Sequence, residues 1–133
     1  MLMQWNESNN LGIPLIDEQH RELYKMLNEL NHAMATGRGK VVASDVMNRL
    51  FPFIREHFAE EEKNLRQRHS PAYRQCCQRH AEQLAMVEFF LRNRSAQDPS
   101  AVIDLLYFLD CILEGHIDSD RKALGIHESQ SIQ

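Results

Sequence analysis

Apolar residues recur every three or four positions along four stretches of this chain, and that spacing predicts four helices. Leu23, Leu27, Leu30 and Met34 mark the first, expected over about 17–36, with Asp17 as its cap and Gly37 just beyond its end. Gly37-Arg38-Gly39 then makes a turn. Phe51, Ile54, Phe58 and Leu65 mark a second helix over about 42–68, in which Pro52 removes one backbone hydrogen bond and is expected to form a kink. Ser70-Pro71 and Asp98-Pro99 are helix-start signals. They open a third helix (about 71–94, through Leu84, Val87 and Leu91) and a fourth (about 99–124, through Val102, Leu105, Leu109, Ile112 and Leu113). Residues 1–16, with Gly12 and Pro14, read as an irregular arm, and residues beyond Gly125 as a frayed tail. Short connections make successive helices antiparallel. The expectation is an all-α single domain over 1–133, built as an up-down-up-down four-helix bundle with an N-terminal arm.

Composition narrows the setting. The chain has 133 residues, 43% of them apolar, enough for one core. A net charge of −4 gives no electrostatic case for nucleic acid or an anionic membrane as partner. Residues 1–10 lack the basic and apolar regions of a signal peptide, so none is expected. The greasiest stretch, Ala101 to Leu113, is interrupted by Asp104 and Asp110 and is not expected to span a bilayer. Cys76, Cys77 and Cys111 make no disulfide framework, and reduced thiols in a cytoplasm are the simplest reading. Side chains at 76 and 77 point about 100° apart on a helix, so a bridge between them would be strained.

The chemistry lies in a set of polar residues within these apolar helices: His20, His57 with Glu61, His80, and His116 with Asp120. The two pairs have i, i+4 spacing, which puts both members on one helix face. Position becomes height in an antiparallel bundle, at about 1.5 Å per residue. These six residues, and Cys76 four residues before His80, then fall in one slab about two turns thick. Imidazole suits iron, zinc and copper, carboxylates can bridge two metals, and a dinuclear site in a bundle core usually holds iron. Without a metal, each buried group would need its own hydrogen-bond partner. His32, His69 and His127 read as ordinary histidines, Glu60 and Glu62 as a solvated acidic run, and Tyr24 and Tyr107 as core aromatics whose hydroxyls reach a partner.

Three segments then carry a resemblance. "LGIPLIDEQHREL", with Trp5 upstream, "HFAEEEKNL" and "HIDSD" resemble, in order and separation, the motifs of bacterial hemerythrins, over about residues 5–125. The resemblance implies two non-heme iron ions, joined by an oxo or hydroxo group, in a protein that binds O₂ rather than an enzyme. His20 and His57 would serve one iron, His80 and His116 the other, and Glu61 and Asp120 would bridge them. Leu113 and Ile117 would line an apolar pocket for O₂ or another small diatomic or peroxide ligand. The resemblance names no protein partner.

The sequence departs from the family pattern in three places. Cys76 stands where the third helix carries its first histidine. Asp120 comes four residues after His116 rather than five, position five being Arg121. Ser70 replaces a tyrosine before Pro71. Three readings of Cys76 stay open: a thiolate ligand, a neutral thiol beside a metal with an open position, or the mark of a weak second site that leaves mononuclear iron or zinc. The first would suit redox chemistry better than reversible O₂ carriage, and the second would leave an iron open to water, peroxide or NO, so a di-iron enzyme or sensor reacting with peroxide or NO is the alternative reading.

Overall fold

The structure, a computed structural model, describes residues 10–125, apart from 96, 99, 114 and the side chain of Leu113. Five helices follow one another among these residues: α1 (Pro14–Ala35), α2 (Gly39–Gln67), α3 (Tyr73–Asn93), α4 (Ala101–Leu113) and α5 (His116–Ala123). The last two make up the fourth rod, so the architecture is an all-α four-helix bundle. Residues 1–9 of the expected arm, residues 126–133 of the expected tail with His127, and the pocket side chain of Leu113 lie outside the described residues.

The ends of the helices differ from expectation for local reasons. Helix α1 begins at Pro14, whose fixed φ suits a first turn. Asp17 therefore sits inside the helix, where its carboxylate accepts hydrogen bonds from the Leu11 and Gly12 amides at 2.7 and 3.1 Å. It anchors the incoming chain instead of capping the helix. Helix α2 continues through the exposed Pro52. Ser70 precedes α3, where its hydroxyl accepts from the Ala72 amide (3.1 Å) and donates to the Ala123 carbonyl (2.9 Å), tying the start of α3 to the end of α5. The fourth rod breaks at Gly115, whose φ of 74° lies in the left-handed region that glycine tolerates best. Helix α5 restarts with Ser119 N–H donating to the Gly115 carbonyl at 2.9 Å.

The apolar stripes meet as their spacing requires. Ile16, Leu23, Leu27 and Leu30 of α1 bury against Val46, Leu50, Ile54 and Leu65 of α2 and Leu105 and Leu109 of α4. Helix α1 packs on α2 and α4, and α2 packs on α3. Helix α3 buries only Cys76, His80 and Val87, so two of its three anchors are candidate site residues. Met34 and Tyr107, read as inward-facing, instead lie 42% and 70% exposed. No helix among the described residues is long and apolar enough to cross a membrane.

Candidate metal centre

Five side chains from three segments of the bundle converge. Helix α1 contributes His20, α2 His57 and Glu61, and α5 His116 and Asp120, all buried. One nitrogen or oxygen from each lies within 4.8 Å of all the others. An ion holding its donors at about 2.1 Å spans at most about 4.2 Å between opposite ones, so this cluster is close to the size of one coordination sphere. Both helix pairs reach the cluster because i, i+4 spacing aims them at one point. Asp120 illustrates this. Its Oδ2 lies 3.1 Å from the Nε2 atoms of both His20 and His116, so the shorter spacing still delivers the carboxylate to the layer.

Glu61 is the hub. Its Oε2 lies 3.2, 3.0 and 3.2 Å from the Nε2 atoms of His20, His57 and His116. Its Oε1 lies 3.1 Å from His80 Nε2. The two carboxylate oxygens therefore face two different groups, three imidazoles on one side and His80 on the other. Cys76, buried beside His80, places Sγ 3.5 Å from His80 Nε2. His116 thus shares an oxygen of Glu61 with His20 and His57, whereas the resemblance grouped it with His80.

Two residues missed by the sequence reading steer these imidazoles. His57 Nδ1 donates to Gln19 Oε1 at 2.8 Å, and His80 Nδ1 donates to Glu62 Oε2 at 2.8 Å. A histidine whose Nδ1 is held this way presents Nε2 as the ligating atom, the usual outer partnership of a metal-bound imidazole. Glu62 is therefore not simply part of a solvated run. Phe58 stacks on His80 with centroids 3.9 Å apart and 4° between planes, which fixes the ring's orientation.

The electrostatics suit a cation. Burial lowers the pKa of His57 and of His116, against the opposing pull of Glu61, so both favour the neutral form a metal needs. Burial acts to raise the Glu61 carboxyl, but the surrounding imidazoles, His116 foremost, hold it well below the usual range. At His80 burial acts to lower the pKa, but contacts with Cys76 and Glu61 override it and push it up to about 10. His20 Nδ1, His116 Nδ1 and Glu61 Oε1 are buried with no hydrogen-bond partner among the described residues. Orphaned donors and acceptors of this kind are expensive in a core unless something else engages the layer. The donor set, three imidazoles and two carboxylates around one point, fits a first-row transition-metal ion.

A helical bundle with a buried His/Glu/Asp cluster defines a cation-binding protein. Comparison with known proteins says which kind. Residues 11–124 match the hemerythrin HHE cation binding domain, and the chain belongs to that family. The bacteriohemerythrin of Stenotrophomonas maltophilia (strain R551-3) is 30% identical over 125 residues, covering 92% of this chain and 78% of that protein. The bacteriohemerythrin of Pseudomonas aeruginosa (strain LESB58) is 34% identical over 58 residues, 44% of this chain and 37% of that protein.

Proposed function

We propose that this chain is a single-domain, cytoplasmic, hemerythrin-like non-heme di-iron protein that binds O₂ for storage, delivery or sensing. The observation that carries the reading is Glu61, whose Oε2 faces the imidazoles of His20, His57 and His116 and whose Oε1 faces that of His80. A carboxylate so placed can bridge two ions; Asp120 would hold the ion on the Oε2 side through Oδ2, beside His20 and His116, and would bridge through its other oxygen. Bound iron would supply electrons to a small oxidant and an open coordination position. The chain's own residues do the rest. His20, His57, His80 and His116 serve as neutral donors. Gln19 and Glu62 hold two of those rings in the ligating orientation. Ile117, buried next to His116, would line the pocket for the small ligand.

A second reading, a di-iron enzyme or sensor reacting with peroxide or NO, is favoured by one observation: a thiol at Cys76 stands beside His80 where the family has a histidine. One experiment separates the two. Iron per chain is counted, and absorption spectra are recorded anaerobically, in air, and after removing the air. Visible bands that appear and vanish reversibly support O₂ binding. Irreversible oxidation with peroxide or NO turnover supports the second reading. Protein isolated from iron-supplemented cells without iron overturns both.

A further inference from the structure

The Cys76 side of Glu61 holds three donors of different chemistry. Sγ of Cys76 lies 3.5 Å from His80 Nε2, and His80 Nε2 lies 3.1 Å from Glu61 Oε1. Despite that short distance, Oε1 has no hydrogen-bond partner among the described residues, so the contact is out of line for a hydrogen bond. The carboxylate oxygen is almost fully buried and meets the ring nitrogen as a close charge contact rather than an in-line hydrogen bond. The three donors are near enough to share an ion. Sγ also lies 3.7 Å from His80 Nδ1, beside the ring rather than along the Nε2 lone pair, so a turn of the Cys76 side chain brings sulfur to the roughly 2.3 Å of a metal–thiolate bond. Nitrogen and oxygen on the same ion stand about 3.4 Å apart, within a few tenths of an ångström of the observed gap. Arg79 Nη2 approaches Sγ at 3.6 Å, a charge suited to a thiolate.

We propose that Cys76 Sγ, His80 Nε2 and Glu61 Oε1 together form a thiolate–imidazole–carboxylate metal position, with a fourth position left open for an external ligand. The proposal rests on the metal-binding reading of the layer and replaces an all-nitrogen histidine set with one sulfur. On binding, the metal–sulfur bond forms as the S–H bond breaks, and the thiol proton leaves to solvent. The ion keeps its charge state, so no oxidant or reductant is needed. Glu62 and Phe58 hold His80 in place from outside.

The test uses cobalt(II) as a probe of the full-length protein stripped of metal by a chelator. Two equivalents bind, and one brings a near-ultraviolet sulfur-to-cobalt charge-transfer band. The band persists in Cys77→Ser and Cys111→Ser and disappears in Cys76→Ser and Cys76→Ala. Loss of a direct ligand weakens that equivalent by more than the roughly 10–100-fold typical of an outer partner. X-ray absorption of the zinc-loaded natural chain needs no variant and shows a sulfur neighbour at about 2.3 Å. Two equivalents of cobalt without the band, a band that survives Cys76→Ser, or only nitrogen and oxygen around zinc overturns the thiolate position while leaving the wider metal reading intact. Failure to bind any cobalt overturns both.

Discussion

Glu62 gives the sharpest test of how the layer is held. Its carboxylate is an outer support for His80, accepting from Nδ1 at 2.8 Å with the side chain 28% exposed. Outer partners of ligating histidines typically change metal affinity 10–100-fold. Partial exposure lets water screen and replace part of this contact, which puts the expectation at the lower end. Glu62→Ala should therefore weaken the metal position at His80 by about tenfold, or about 1.4 kcal/mol. Glu62→Gln keeps an acceptor without the charge and should cost about threefold. The cluster around His20, His57 and His116 should change by less than about twofold, because Glu62 contacts none of it in the observed hydrogen bonds. Competition against a coloured chelator, with both equivalents resolved, measures these numbers. An unchanged second equivalent in Glu62→Ala, or equal weakening of both, would refute the orienting role.

Other perturbations follow from the same geometry. Gln19→Leu removes the acceptor of His57 Nδ1 and should weaken the other position about tenfold, read in the same titration. Leu30→Ala, at a fully buried site of α1, should destabilise the fold by about 2–5 kcal/mol in a denaturant melt. Cys76→His should restore the usual histidine count and slow oxidation of the reduced iron protein in air; an unchanged rate would show that this position does not govern the site. The stability of the metal-free chain should peak near pH 6.5. His57 and His116 have lowered folded pKa values, so the unfolded chain binds more protons and stability falls as pH drops below 6.5. His80 is raised to about 10, so its contribution is complete below 6.5 and is lost as pH rises towards 10. Urea midpoints at pH 5, 6.5 and 9 decide this, and a monotonic trend would contradict it.

The layer was legible because two physical regularities met. Leu23, Leu27 and Leu30 recur at the helical period, and the His57/Glu61 and His116/Asp120 pairs share a face at i, i+4. Both are local, so a single chain reveals them. Gln19 and Glu62 were not legible for the opposite reason. Each sits one residue from a candidate ligand, about 100° around its helix, and acts on a ring from a neighbouring helix. No spacing within one segment encodes that reach. The break in the fourth rod did leave a signal, Gly115 inside an apolar repeat, since glycine costs about 1 kcal/mol in a helix interior. Tyr107 misled because α4 is apolar on nearly every face, so periodicity does not separate its buried side from its exposed one.

The central claim is that Glu61 sits between two metal ions. Diffraction from crystals of the iron-loaded protein, collected on either side of the iron absorption edge, tests it directly. The account predicts two anomalous peaks about 3.5–4 Å apart, as in other two-metal sites. One peak should lie against Glu61 Oε2 among His20, His57 and His116, and the other against Glu61 Oε1 beside His80 and Cys76. A single peak, or none within this layer, would contradict it.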